Sequence, residues 1–200
     1  MKTSYIIIMP AYNESRFIKK TITECKKVTD NLIVVNDGST DETKNIIAES
    51  DVMCINLEKN TGNSNAIFTG MDFAIRHNYS KVVTIDADGA HSPYEIPSLI
   101  NIHNLNKSNL TIGNRFSSFS TNNIPSTKRL SNLFASKIIN KLLKIKLDDV
   151  ACGFRVYSSD LISILVKNSK AHHGYRIAYE SIFSASNHGV EICDLNISLH

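Results

Sequence analysis

Short apolar runs rich in β-branched residues alternate with amphipathic helical patterns along the first 116 residues. A short apolar run is typical of a strand buried on both faces, and strands separated by helices form parallel sheets with right-handed crossovers. We therefore predict an α/β fold with a doubly wound, mostly parallel sheet flanked by helices. The predicted strands are Ser4–Met9, Leu32–Val35, Val52–Leu57, Val82–Ile85 and Leu110–Gly113, and the predicted helices are Asn13–Lys27, a helix from Asp41, Gly62–His77 and Tyr94–Leu105.

The pattern changes after Phe116, where a polar, loop-like stretch covers residues 117–127. The elements predicted beyond it are a helix Lys128–Ile145, a loop Asp148–Arg155 running into a strand, helices Asp160–Lys167 and Tyr175–Asn187, and a strand Val190–Ile197. We see no repeat or linker. We therefore expect one domain, 1–200, with a first half at 1–116 and a second at 117–200.

Composition excludes several classes of protein. A hydrophobic content of 42% and a charged content of 20% are typical of a soluble globular chain. A formal net charge of +3 is too small to indicate a nucleic-acid partner, and no apolar run approaches the roughly 20 residues that cross a bilayer. The four cysteines are far apart and form no C-x-x-C pair, so we expect free thiols and a cytoplasmic location.

Polar residues follow each of the first four predicted strands, in the segments Pro10–Glu14, Asn36–Asp41, Asn60–Asn63 and Asp86–Asp88. Ligands of parallel sheets collect at the carboxyl ends of the strands. Asp86 and Asp88, two residues apart, can approach one small cluster, and Mg²⁺ or Mn²⁺ prefers such hard oxygen ligands shared with phosphates. A turn with a helix cap is the favoured explanation of Asn36–Asp41 when that segment is taken alone. Four polar strand ends on one edge favour a ligand site.

The motifs at these strand ends are informative as a set. Neither a G-x-G-x-x-G fingerprint nor a Walker phosphate loop is present, which argues against dinucleotide oxidoreductases and P-loop NTPases. The set I8-M9-P10-A11-Y12-N13-E14, V35-N36-D37-G38-S39-T40-D41, N60-T61-G62, D86-A87-D88-G89, G113-N114-R115-F116 and C152-G153-F154-R155 resembles family 2 glycosyltransferases. It is most similar to the branch of dolichol-phosphate mannose synthases and polyprenyl-phosphate glycosyltransferases, and it covers residues 4–197.

This resemblance implies a GT-A fold, with a Rossmann-like nucleotide-binding half and an acceptor half. It also implies inverting transfer from a UDP- or GDP-linked sugar. The implied donor-binding residues are Pro10, Ala11, Tyr12, Glu14, Asp37, Asn60, Gly62, Asp86, Ala87, Asp88, Arg115 and Arg129. Asp86 and Asp88 are the implied ligands of Mg²⁺ or Mn²⁺. We predict Asp88, Asp149, Glu180 and Arg115 as catalytic residues, and the family has a carboxylate at the position of Glu180 on the acceptor-side helix.

Three residues near the expected diphosphate depart from the family pattern. Ala90 replaces a glutamine, and Asn63 and Ser64 replace a lysine and a glycine. They leave open a non-catalytic nucleotide-sugar-binding partner of an active enzyme. A nucleotidyltransferase is disfavoured, because the Gly-rich phosphate loop after the first strand is missing. We interpret His91 as a solvated loop histidine rather than a replacement metal ligand.

The acceptor determines whether a general base is needed. A lipid phosphate is already an anionic nucleophile, whereas a hydroxyl acceptor needs a carboxylate within hydrogen-bond reach. Asp149 and Glu180 are the candidates for that base. Asp149 is equally consistent with bracing the turn that follows it. The predicted acceptor is a polyprenyl or dolichyl phosphate, or another lipid or glycan.

The predicted helix Lys128–Ile145 is basic and amphipathic. Its cations, with Lys146 just beyond, are Lys128, Arg129, Lys137, Lys141, Lys144 and Lys146, and its apolar side carries Leu130, Leu133, Phe134, Ile138, Leu142 and Ile145. One interpretation is a solvated cationic face above a stripe of core residues. The other is attraction of the helix, residues 128–146, to anionic lipid headgroups. We favour the second, and with it peripheral contact with the cytoplasmic face of a membrane.

Overall fold

The computed structural model describes residues 5–116, 126–168 and 176–198, apart from the side chains of Ser126, Lys128 and Arg176. The strands are β1 Tyr5–Ala11, β2 Leu32–Asn36, β3 Met53–Asn56, β4 Lys81–Thr84, β5 Leu110–Asn114, β6 Arg155–Ser158 and β7 Ile192–Asn196. The helices are α1 Ile18–Lys26, α2 Thr43–Ala48, α3 Asn63–Arg76, α4 Ile96–Leu105, α5 Ser126–Leu143, α6 Ser159–Asn168 and α7 Arg176–Asn187, with a 3₁₀ turn at Pro93–Glu95. The predicted loop 117–127 lies for the most part outside the described residues.

The strands form one sheet in the order β3-β2-β1-β4-β6-β5-β7. The pairs β1–β2, β1–β4, β2–β3 and β5–β7 are parallel, and β6 runs antiparallel to both β4 and β5. The predicted α/β class with a mostly parallel sheet is confirmed. The place of β6, between two strands that precede it in the chain, was not predicted. It joins the two halves of the sequence in a single sheet.

The central strands are buried because helices cover both faces of the sheet. All residues from Ile6 to Met9 are fully buried, as are Val82 and Val83 on the neighbouring strand. Burying an isoleucine or valine side chain contributes roughly 1.5–3 kcal/mol. Helix α3 lies directly on β1, since a Cβ at Gly70 would stand 2.5 Å from the Ile8 side chain. The absence of a side chain at Gly70 therefore lets the middle of α3 pack closely on the middle of β1.

Helix α5 is oriented differently from an ordinary core helix. The apolar side chains predicted for its core stripe are mostly exposed, including Leu130 and Phe134. Asn132 and Ser136 are buried instead, together with Ile139. The interpretation of this helix as a solvated cationic face above a core stripe is therefore wrong. No helix in the described part of the chain is both long and apolar enough to span a bilayer.

Candidate functional site

A cleft of about 350 Å³ opens at the carboxyl ends of β1, β2 and β4. The strand register brings these ends together, since Ala11 pairs with Asn36 and Ile8 with Thr84. The cleft is lined by Pro10, Ala11, Tyr12, Glu14, Asp37, Asn60, Gly62, Asn63, Asp86, Ala87 and Asp88. Every predicted donor-binding residue from Pro10 to Asp88 therefore lies in one cavity. Asn63 is an additional lining residue that was not predicted to bind the donor.

Asp37 organises one wall of the cleft. Its buried carboxylate accepts hydrogen bonds from the backbone N–H and hydroxyl of Thr61, both at 2.8 Å, and from the N–H of Gly62 at 2.8 Å. Gly38 follows with φ +67°, and a Cβ there would stand 2.4 Å from the carbonyl carbon of Lys59. Asp37 thus holds the loop after β3 against the end of β2, which gives the cleft its shape before any ligand binds.

Asp86 lies on the floor of the cleft. A Cβ at Gly153 would stand 2.7 Å from Asp86 Oδ2, so only glycine fits beside this carboxylate. Although 34% of the side chain is open to the cleft, burial, and after it the charge of Asp88, raises the pKa of Asp86 to about 6. The charges of Arg115 and Arg155 and a hydrogen bond from Asn63 oppose that increase. A further positive partner would therefore stabilise ionised Asp86.

Asp88 is exposed at the rim of the cleft, and its Oδ1 accepts a hydrogen bond from the Ala90 N–H at 2.9 Å. Glu14 is a third carboxylate nearby, and burial, followed by the charges of Asp88, Asp86 and Asp41, raises its pKa. Three neighbouring carboxyl groups create a region of negative potential. The arrangement attracts a cation, and it would repel a diphosphate in the absence of one.

Asp86 and Asp88 suit a divalent cation that is shared with a substrate. No group of three or more histidine, cysteine, aspartate or glutamate side chains within 5–116, 126–168 and 176–198 forms a metal cage. Mg²⁺ is usually held by one or two carboxylates and completes its shell with water and substrate phosphates. The two carboxylates and the raised pKa of Asp86 fit this kind of site. Mg²⁺ or Mn²⁺ would be held by Asp86 and Asp88.

Arg115 is fixed beside the cleft by Asp149, not in its lining. Arg115 Nε and Nη2 donate to the two carboxylate oxygens of Asp149 at 2.6 and 2.9 Å. The Asp149 side chain is fully buried and also receives the backbone N–H groups of Arg115 and Ala151, both at 3.3 Å. Two parallel N–H···O bonds orient a guanidinium strongly. The geometry supports bracing by Asp149, while its catalytic role stays a prediction.

Arg155 is the last residue of the motif C152-G153-F154-R155, and no individual role was predicted for it. Its guanidinium is buried and donates to the carbonyl oxygens of Cys152, Val150 and Ala178 at 2.6–2.7 Å and to the Ser181 hydroxyl at 2.8 Å. It therefore ties the turn that contacts Asp86 to helix α7. No sequence signal reveals such a network, because its acceptors are mainly backbone oxygens of segments that are distant along the chain.

His91 is buried, contrary to the prediction of a solvated loop histidine. Its ring stacks on Phe154 with centroids 5.3 Å apart, and its Nε2 lies 4.0 Å from Asp86 Oδ2. Burial, and after it the charge of Arg115, lowers the pKa of His91 to about 4. His91 is therefore neutral at physiological pH and packs as an aromatic side chain beneath Asp86.

Two predicted residues lie away from the cleft lining. Glu180 is half-buried on α7, and Arg129 is exposed near the start of α5. Their roles in catalysis and donor binding stay predictions. Ser64 and Asn63, which depart from the family pattern, both have partners: the Ser64 hydroxyl accepts from the Ile177 N–H at 3.1 Å, and Asn63 bonds to Asp86.

The raised pKa of Asp86 gives a testable pH dependence. We expect Asp86→Asn to melt a few degrees above wild type at about pH 8 in EDTA. Because the folded-state pKa of about 6 exceeds the unfolded value of about 4, ionisation of Asp86 costs stability. That cost is absent below about pH 4, grows between pH 4 and 6, and is complete above pH 6.

Melting curves of both proteins from about pH 4 to 8 test this dependence on Asp86. The difference in melting temperature between the two proteins should disappear toward about pH 4. Taking the difference removes the titrating groups that Asp86 does not influence, and it retains the repulsion between Asp86 and Glu14. Equal melting temperatures at about pH 8, or a less stable variant there, would contradict the expectation.

Comparisons with known proteins agree with this geometry. The model for "Glycosyl transferase family 2" matches residues 6–165. UDP-N-acetylglucosamine–dolichyl-phosphate N-acetylglucosaminyltransferase of Methanococcus voltae is 29% identical over 215 residues, covering 98% of this chain and 85% of that protein. Polyprenol monophosphomannose synthase of Mycolicibacterium smegmatis is 26% identical, covering 96% of this chain and 76% of that protein.

A solved structure shares the fold. The crystal structure of glucosyl-3-phosphoglycerate synthase from Mycobacterium tuberculosis, with Mn²⁺, UDP-glucose and phosphoglyceric acid, matches with a TM-score of 0.76. The match covers 98% of this chain and 70% of that protein at 19% identity. The likeness confirms the predicted fold class.

Proposed function

Since the chain belongs to glycosyl transferase family 2 and has a GT-A fold, we propose that it transfers a sugar from a nucleoside-diphosphate sugar to a polyprenyl or dolichyl phosphate. The transfer inverts the configuration of the anomeric carbon. The observation that carries this proposal is the single cleft in which Asp86 and Asp88 meet the polar ends of β1 and β2. Such a cleft accepts a nucleoside on one side and a metal-bound diphosphate on the other.

The donor is held by this chain's own residues in distinct ways. Tyr12 lies at the rim with 42% of its surface exposed, where an aromatic ring can cover a base. Asp37 holds the Thr61–Gly62 backbone in place, so that the backbone of the loop can approach the nucleoside closely. Arg115, held by Asp149, adds positive charge beside Asp86, where it would stabilise the diphosphate that departs.

A divalent cation completes the donor site. Mg²⁺ or Mn²⁺, when bound, neutralises part of the charge that develops on the leaving diphosphate. Asp86 and Asp88 supply its protein ligands, and Asp86 must lose its proton to do so. Asn63 orients Asp86 with a hydrogen bond that favours the ionised form.

A lipid phosphate fits the acceptor role better than a hydroxyl. Relatives named for dolichyl-phosphate and polyprenol substrates support this class of acceptor. The contacts of Asp149 support it independently, because each of its carboxylate oxygens already accepts two hydrogen bonds, from Arg115 and from the Ala151 N–H, and so has little room to accept the proton of a hydroxyl. An anionic phosphate oxygen needs no such base.

Donor turnover tests the proposal. Purified protein is incubated with UDP- and GDP-sugars and Mn²⁺, Mg²⁺ or EDTA, with and without a short polyprenyl phosphate. We expect one donor to be consumed only with metal, and to be consumed faster when the lipid phosphate is present. Nucleotide binding without turnover in any combination would support the non-catalytic partner instead. Release of pyrophosphate would indicate a nucleotidyltransferase.

A further inference from the structure

Helix α5 presents its large apolar side chains to solvent. Leu130, Phe134 and Leu142 are 70%, 68% and 66% exposed, and Leu133 and Ile138 are 48% and 43% exposed. We call these five side chains, with Lys137 and Lys141 between them, the outward face. A contiguous exposed apolar surface of this kind marks an interaction site more often than a single exposed leucine does.

Polar contacts on the opposite side fix this orientation. Asn132 and Ser136 both donate to the carbonyl oxygen of Asp148 at 3.0 Å. Asn140 donates to the carbonyl oxygen of Leu147 at 2.9 Å and accepts from its N–H at 3.0 Å. Rotating the helix to bury the leucines would leave these groups unpaired, at a cost for each. The outward face is therefore an intrinsic feature of the fold.

The charge of α5 restricts what can cover the outward face. The sequence from Ser126 to Lys146 contains no aspartate or glutamate. The described cations of this stretch are all exposed, and they are Arg129, Lys137, Lys141, Lys144 and Lys146. Two copies of this face would bring like charges together. An anionic lipid surface pairs with the cations and accepts the apolar side chains, while lysine stems extend to the headgroups.

We propose that α5 docks on an anionic lipid bilayer, with the outward face at the boundary between headgroups and acyl chains. This inference rests on the proposed function in one respect, since a lipid-linked acceptor resides in such a bilayer. The combination of exposed cations and apolar side chains on this surface favours a membrane over a protein partner. Burial of several leucine and phenylalanine side chains supplies affinity, and the cations select anionic lipid.

Docking would also bring the bilayer close to the candidate catalytic residues. Asn132 contacts the loop that carries Asp149, because its Nδ2 donates to the Asp148 carbonyl and its Oδ1 accepts from the Ala151 N–H at 3.2 Å. Asp149 in turn holds Arg115. One side of α5 therefore meets the lipid, while the other positions the loop beside the cleft.

Vesicle sedimentation tests the docking surface. Vesicles of phosphatidylcholine alone and with about 30% phosphatidylglycerol are used, and both lack polyprenyl phosphate. Wild type should sediment with the anionic vesicles, less with neutral ones, and less at high salt. The double variant Leu130→Gln/Phe134→Gln should lose about tenfold or more in partitioning, while Lys137→Gln/Lys141→Gln should lose the preference for anionic lipid.

Leu105→Gln is the matched control, because Leu105 is 69% exposed on α4, away from the outward face. It should partition like wild type. All variants should have the melting temperature of wild type, since the altered side chains are exposed.

Failure of wild type to bind anionic vesicles, or equal binding by the Leu130/Phe134 variant, would overturn the docking. A wild-type dimer that this variant converts to a monomer would assign the face to a second copy. Donor turnover in detergent is scored separately, so the two proposals can fail independently.

Discussion

Asp88→Asn is expected to reduce metal-dependent donor turnover by roughly 10²–10³-fold, the effect typical of losing one group that stabilises charge in a transition state. Asparagine has the shape of aspartate, and its Oδ1 can still accept the Ala90 N–H that Asp88 receives at 2.9 Å. The turn after β4 should therefore keep its structure. What disappears is the negative charge that would hold the divalent cation at the rim of the cleft.

The measurement is initial turnover against Mg²⁺ and Mn²⁺ concentration, together with a melting curve. We expect the variant to need much more metal and to melt at or above the wild-type temperature. Asp160→Asn, on the exposed start of α6, is the matched control for loss of one carboxylate. Wild-type turnover by Asp88→Asn, or turnover in wild type that EDTA leaves unchanged, would remove Asp88 from the proposed site.

Arg155→Met is expected to lower the free energy of unfolding by about 3–5 kcal/mol. The guanidinium satisfies three backbone carbonyl oxygens and a hydroxyl inside the protein. Methionine fills part of the space, but it removes the donors to the buried Cys152 and Val150 carbonyl oxygens, whereas the Ala178 carbonyl keeps the Ser181 hydroxyl at 3.2 Å. Loss of the cation also removes a charge that lowers the pKa of Asp86.

Urea unfolding at equilibrium measures the stability loss. Arg155→Lys should be intermediate, because an ammonium keeps the charge but reaches fewer of the acceptors. Arg76→Met removes an exposed arginine that pairs with Asp72 at 2.7 Å on α3, and should change stability by less than about 1 kcal/mol. If Arg155→Met unfolds within about 1 kcal/mol of wild type, the network around Arg155 is not a determinant of stability.

Local patterns account for what could be predicted. Apolar runs that end in polar, glycine-containing turns identified the first five strands and the edge where Asp86, Asp88 and Asp37 gather. The cleft follows from that alternation, because parallel strands end on one side. The motifs at the strand ends therefore predicted most of the residues that line the cleft.

The features that the sequence did not predict depend on contacts between segments that are distant along the chain. The short segment Arg155–Ser158 has no local signal for an antiparallel place between β4 and β5. The periodicity of α5 separated its apolar and polar sides but did not decide which side is buried. Asn132 and Ser136 are on the buried side because they find backbone partners at Asp148. His91 was misassigned for a similar reason: Phe154, which covers it, is distant along the chain.

The position of β6 limits how this fold can be recombined. A chimera joined at residue 116 would pair β4 of one parent with β6 of another through Val82–Tyr157 and Val83–Val156. It would also set one parent's Asp86 against the other's Gly153, where a Cβ would come within 2.7 Å of the carboxylate. To exchange acceptor preference between relatives, surface segments should therefore be grafted while β6 and the turn at Gly153 are retained. The boundary visible in the sequence is a poor crossover point, because the sheet interleaves the two halves.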